Sequence, residues 1–184
     1  MKENTDKRTP EMKENVSGNI SSKSWEELQD YEKLLAQNKE RIKELAAINE
    51  TSRLIKESDS IENTFRKLCG ILQRAYQYPE FTVSRIVFNG STFSSVNFKP
   101  TEWSHIQNFE TVDRKTGQIE VYYLKEFPKL DEGPFLKEER DLLKNISSLL
   151  TGYLNSLQIA EYTSETRERL KELACINKTT HILR

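Results

Sequence analysis

Apolar residues run along this chain in long helical stripes, interrupted once by a block of strand pattern. Over about residues 25–56, Leu28, Tyr31, Leu35, Ile42 and Leu45 recur at heptad steps, with polar Asn38 as the exception. That spacing predicts a first helix. Its phase then changes, because Leu45, Ile48 and Ile55 form a new stripe with Ser52. Phase changes locally unwind or overwind a coiled coil. Residues 58–60 break the pattern. Ile61, Phe65, Leu68, Leu72 and Ala75 then predict a second amphipathic helix. Tyr78-Pro79-Glu80 ends it, since proline disfavours helix in the residue before it.

The middle reads as β. Residues 81–88 are rich in β-branched and aromatic side chains, and Asn89-Gly90 is a hairpin signal because both residues tolerate positive φ. Residues 91–98, 103–112 and 118–124 supply three more strands, giving an expected antiparallel meander with helices on one face. Pro134, preceded by Asp131 and Glu132, suits the start of a last helix. There Leu136, Leu143, Leu150 and Leu157 are spaced by seven, with Ile146, Tyr153 and Ala160 interleaved. This seam fails at Ser164, Arg167 and Lys171, and apolar residues resume out of phase at Leu170, Leu173 and Ile176. The expected fold class is α+β: an antiparallel sheet of about four strands packed on helices, flanked by long coiled-coil-type helices. The expected dimer seam is Leu28, Leu35, Ile42, Leu143, Ile146, Leu150, Tyr153 and Leu157.

One segment occurs twice. Residues 40–56 read ERIKELAAINETSRLIK and residues 168–184 read ERLKELACINKTTHILR, an offset of 128 with nine of seventeen positions identical. A period of that size is a domain, not a solenoid repeat of roughly 20–50 residues. The expected organisation is a disordered tail at 1–23, a signalling helix at 24–57, a domain at 58–160 that includes its last helix, and the start of a second linker helix at 161–184.

Charged residues make up 31% and hydrophobic residues 35% of the 184, too polar for one compact globule throughout. A net charge of −1 offers no broad surface for nucleic acid or acidic membrane. Apolar runs fall far short of a ~20-residue membrane span. The N-terminal Met-Lys-Glu-Asn-Thr-Asp carries no signal-peptide core, so a cytoplasmic location is expected. Two cysteines are too few for a disulfide framework or zinc cluster. Cys69 falls on a buried helical face, and Cys175 aligns with Ala47.

The segments YPEFTVSRIVFNGSTF at 78–93, TGQIEVYYLKEFPKLDEGPFLKEERDLL at 116–143 and KELAAINETSRLI at 43–55 resemble the GAF-like sensory module of sensor histidine kinases and its linker helix. The resemblance covers roughly residues 40–160. It implies a GAF-type α+β fold, no chemistry of its own, and relay of a signal to an output domain. It carries over no binding residue and no cofactor. Two departures stand beside it: no kinase domain or nucleotide-binding glycine motif is present, and the expected strand set is shorter than the family's five or six.

The residues offer little catalytic chemistry. His181 aligns with Arg53, which argues against a phosphoacceptor role, and His105 has no second histidine near it for a metal pair. Glu138, Glu139 and Asp141 alternate with Lys137, Arg140 and Lys144 as a solvated helix face would. No catalytic residue and no metal ligand is assigned. Phe88, Phe93, Phe98, Trp103 and Tyr122 are candidate lining for an aromatic pocket on the open side of the sheet, with the small-molecule ligand unknown. The expected function is a non-catalytic sensory and relay module, a parallel homodimer acting on a downstream output domain through helix phase. It is read as a piece of a histidine kinase or other signalling enzyme. The alternative is a structural coiled-coil spacer without ligand.

Overall fold

The computed structural model describes residues 14–58 and 60–182, with side chains described for 24–58 and 60–175. The elements are α1 (Glu14–Glu57), α2 (Ile61–Ala75), β1 (Thr82–Phe88), β2 (Ser91–Ser94), β3 (Ser104–Glu110), β4 (Thr116–Tyr123) and α3 (Lys137–Ile182). The fold is α+β, a four-stranded antiparallel sheet between long N-terminal and C-terminal helices. The described residues fall into two compact units that divide between Ile42 and Lys43. The first consists of the leading stretch of α1, on which Leu28, Tyr31, Leu35 and Ile42 are all exposed. Residues 14–23, expected in the tail, belong to α1, and residues 1–13 lie outside the described residues.

In the second unit, α2 starts where Ser60 accepts a hydrogen bond from the Asn63 amide at 3.2 Å, a hydroxyl N-cap. Of the predicted stripe it buries Phe65, Leu68, Leu72 and Ala75 and leaves Ile61 half-buried; Cys69 is buried as expected, and so is Ile71, which the stripe did not include. Asn89 and Gly90 take φ of 48° and 81°, so the predicted hairpin turn joins β1 to β2.

The expected meander is corrected. The strand order is β2-β1-β4-β3, with β1 paired to β4 from Thr82↔Tyr123 to Phe88↔Gly117. Residues 95–103 carry the chain from the β2 edge to the β3 edge. The two strands with the longest apolar runs thereby become central, each paired on both edges. Short, polar β2 is left at an edge. Gly117 is required by close approach, since a Cβ there would lie 2.1 Å from Cζ of Phe109.

One face of the sheet packs against helices. Ile86, Phe93, Ile119, Val121 and Tyr123 join α2 in a single core with Leu142, Leu143, Ile146, Leu150 and Leu154 of α3. This corrects the expected dimer seam: Leu143, Ile146 and Leu150 are fully buried within the domain itself, while Tyr153 is half-buried and Leu157 is exposed. Seven-residue spacing marks an apolar helix face but not what covers it. The expected second stripe of α1 is corrected too. Ala47, Thr51 and Leu54 face the core with Ile48 beside them, whereas Leu45 stays 60% exposed. Small side chains at 47 and 51 suit close helix approach, because interaxial distance follows the side chains at the contact. Glu50 pairs with Arg74 of α2 at 2.7 Å, and Glu44 accepts from Asn145 of α3 at 3.4 Å.

Helix α3 begins at Lys137 rather than at Pro134, which sits with Gly133 (φ 66°) in a turn closed by Glu132 and Phe135. Asp131 accepts from the Lys137 amide at 3.0 Å, so the acidic approach to the helix serves as predicted. From there α3 runs unbroken to Ile182, through the point at which the heptad seam fails.

Candidate functional site

The two faces of the sheet divide four of the five aromatic candidates between them. Phe88 and Phe93 lie on the helix side, edge-to-face with Phe65 at centroid distances of 5.8 and 5.1 Å. Phe98 and Tyr122 meet on the opposite face, edge-to-face at 5.6 Å. Trp103 is half-buried just before β3, its carbonyl accepting from the Tyr123 amide at 3.1 Å. The structure thus brings Phe98 and Tyr122 together and places Phe88 and Phe93 elsewhere.

On that opposite face, Phe98 and Tyr122 frame a charge pair that sequence reasoning did not single out. Arg85 and Glu120 stand directly across β1 and β4. The Arg85 Nε and Nη2 donate to one Glu120 oxygen at 2.9 and 2.6 Å, and the Tyr122 hydroxyl donates to the same oxygen at 2.6 Å. The guanidinium carbon lies 4.9 Å from the Phe98 ring centroid, a cation–π contact. Glu120 is only 2% exposed, so its charge depends on these donors. Burial, then the bond to Glu120, raises the Tyr122 hydroxyl above its usual value.

A second polar cluster lies on the helix side, where α2 ends, β4 ends and α3 begins. Glu139, expected on a solvated helix face, is 3% exposed. Its Oε1 accepts from the Gln77 amide at 2.7 Å and the Tyr123 hydroxyl at 2.8 Å, and its Oε2 accepts from the Leu136 amide at 2.9 Å. The last contact is half of a capping box, because Glu139 is the third residue of α3 and reaches back to the residue before the helix. A glutamate at that spacing was the available signal. The same side chain ties three elements together.

His105, on β3, is also buried, 1% exposed. Its ring stacks on Phe135 at 3.9 Å, and Phe135 stacks in turn on Tyr123 at 4.5 Å. Nδ1 lies 3.4 Å from the Tyr76 hydroxyl, while Nε2 is buried without a hydrogen-bond partner, 3.5 Å from Glu132. Arg140 holds Glu132 at 2.8 Å and donates to the Ile106 carbonyl of β3 at 3.1 Å. Burial, reinforced by Arg140, lowers the His105 pKa to about 4, so the ring is neutral at pH 7. Burial likewise pushes the Tyr76 and Tyr123 hydroxyls up, with Glu139 adding to it in both. Neutral groups locked by stacking make this cluster a structural joint.

Burial raises the Cys69 thiol to about 11, so it is no nucleophile at neutral pH. A groove of about 370 Å³ between α1 and α2 is lined by Arg53, Arg66, Lys67 and Arg74 together with Glu50 and Glu57. Another, of about 610 Å³, lies across the turn ends of β1, β3 and β4, near Asn89, Phe109 and Gln118. Among the described residues no group of three or more His, Cys, Asp and Glu side chains is placed to hold a metal ion. None of the described helices is long and apolar enough to cross a membrane. The side chain of His181 lies outside the described residues, as do those of Ile176 and Thr180 in the second stripe.

No protein-family model matches the chain, and no curated protein matches it.

Proposed function

We propose that this chain is a non-catalytic, GAF-like sensory and signal-relay module that works as a parallel homodimer and passes a signal to a downstream output domain through helix phase. One observation carries this reading. In α3 a single unbroken helix buries Leu142, Leu143, Ile146, Leu150 and Leu154 in the domain core and then exposes Leu157, Tyr162, Leu170 and Leu173 beyond it. A helix that is core at one end and carries exposed apolar side chains at the other can pass on a rotation imposed by the domain. Glu139 supports this, because it fastens the start of α3 to the ends of α2 and β4. Leu28, Leu35 and Ile42 on α1, and Leu157, Leu170 and Leu173 on α3, each meet their own counterparts in the second copy. Two helix packings close in energy are then biased by a ligand or an upstream domain.

The test is to insert or delete single residues across positions 162–167 in a chain fused to a histidine-kinase output domain. Activity that alternates with helix phase supports the relay, and activity indifferent to phase ends it. The structural-spacer alternative draws on the filled core positions of Phe88 and Phe93. A thermal-shift screen of metabolites separates the two, since a ligand specific for the folded domain raises Tm by mass action.

A further inference from the structure

The groove of about 370 Å³ between α1 and α2 collects positive charge in a chain whose net charge is −1. On α1 it is lined by Glu50, Arg53 and Glu57, which share a face at steps of three and four, and on α2 by Arg66, Lys67 and Arg74. Four cations thus stand against two carboxylates, an excess of two positive charges. Glu50 and Arg74 answer each other at 2.7 Å. Arg53, Arg66 and Lys67 form no ion pair among the described residues. The excess therefore sits on groups that no carboxylate of the chain holds. Two of the guanidinium groups are nonetheless held in place, Arg74 by Glu50 and Arg66 over the Phe93 ring at 5.8 Å. Side chains ordered in advance lose less entropy when an anion arrives.

The floor of the groove is a second, independent observation. Leu54 and Ile71, 9% and 3% exposed, make it apolar, and Gly70 lies beside them. Gly70 stands in the interior of α2, where glycine is the least favourable residue after proline. No close approach of another element asks for it. A Cβ there would meet only Nη1 of Arg74, at 3.4 Å, an ordinary contact with the end of a flexible side chain. Gly117 differs, since Phe109 leaves no room for a Cβ. What Gly70 provides is open space above an apolar floor, between the cations.

We propose that this groove is a binding site for a small organic phosphate monoester. Guanidinium forks match phosphate oxygens, and a dianion offsets the excess of two positive charges. The volume falls within the roughly 300–1,000 Å³ of small-molecule sites, and the floor at Leu54, Gly70 and Ile71 takes the apolar body of the ester. Arg53 on α1 and Arg66 and Lys67 on α2 hold the phosphate from both sides, so the ligand fastens the end of α1 to α2. This deepens the relay reading by giving its ligand a place and a chemical class. It rests on that reading only for what binding does to α1.

The experiment titrates the full chain with phenyl phosphate by isothermal titration calorimetry at about 0.1 M salt. The expected result is one site per chain, with inorganic phosphate weaker because it has no apolar body and succinate weaker because its charges are spread apart. Arg53→Gln with Lys67→Gln should weaken phenyl phosphate about 10-fold or more and keep Tm within about 4 °C of the native chain. Gly70→Leu, which fills the floor without changing charge, should also weaken it. Gly70→Ala should raise Tm of the ligand-free chain by about 2–4 °C, because the helix gains a better residue where packing did not need the glycine. No binding of phenyl phosphate, binding that survives the Arg53 and Lys67 changes, succinate bound as tightly, or a lower Tm for Gly70→Ala each overturns the proposal. So does a chain that takes a single-stranded oligonucleotide or anionic vesicles in place of phenyl phosphate, since the groove would then belong to a surface for polyanions. Output indifferent to helix phase in a chain that binds phenyl phosphate sinks the relay reading alone. Phase-dependent output in a chain that binds none sinks this site alone.

Discussion

The two halves of α3 both carry large apolar residues, and these meet opposite fates. Leu143, Ile146 and Leu150 are fully buried, whereas Leu157, Leu170 and Leu173 are 38%, 62% and 58% exposed. The first half is covered by the sheet and α2, and it holds the domain together. Each fully buried aliphatic side chain stabilises by about 1.5–3 kcal/mol relative to leaving it in water. Beyond Leu154, no apolar side chain among the described residues of α3 is buried within the chain. The same seven-residue series can therefore be core at Leu150 and exposed at Leu157, and only the neighbouring elements tell which.

That contrast can be broken most sharply by truncating one leucine in each half. Leu150→Ala should cost about 2–5 kcal/mol in urea unfolding, the range for a large-to-small change in a packed core. Leu170→Ala should leave unfolding of the domain unchanged and weaken self-association in sedimentation velocity. Equal costs would mean that the second half is also packed within the chain.

The joint between the halves and the sheet is sharpened by pH. His105 is buried neutral, with a folded pKa of about 4 against an ordinary value of 6.5. The unfolded chain takes up the proton first, so this contribution is complete above pH 6.5 and is lost as pH falls towards 4. A loss of about 3 kcal/mol over that window should appear in denaturant titrations. The charged groups facing the ring, Glu132 and Arg140, stay paired through it, and Tyr76 stays neutral. His105→Phe, which keeps a ring against Phe135, should flatten the dependence.

Glu139→Gln should cost about 1–3 kcal/mol, because an amide cannot accept from the Gln77 amide, the Tyr123 hydroxyl and the Leu136 amide at once. A neutral result would mean that α3 is fixed without this anchor. The smallest effect is expected at Thr51, whose buried hydroxyl lacks a hydrogen-bond partner. Thr51→Val keeps the shape and removes the stranded oxygen, so a gain of up to about 1 kcal/mol in thermal unfolding is expected.

Most of what was legible in the sequence was local. The Asn89-Gly90 turn, the α2 stripe from Phe65 to Leu72 and the acidic start of α3 each need only a few neighbouring residues to make their case, through φ preference, period and dipole. The burial of Cys69 followed from its place in the α2 stripe. Glu139 and His105 escaped because a carboxylate beside lysines, or a lone imidazole on a strand, looks solvated until other elements close over it. The aromatic candidates were found as residues but not as a constellation, since which face each strand position takes depends on pairing.

The sequence by itself determined the kinds of element, most of their limits and the repeated helix, because period and turn chemistry act over a handful of residues. Only the tertiary structure decided that β1 lies beside β4, that Ala47 and Thr51 rather than Leu45 face inward, and that half of α3 is core. Those choices are made by segments far apart in the chain, and the free energy that selects them comes from burying their faces together.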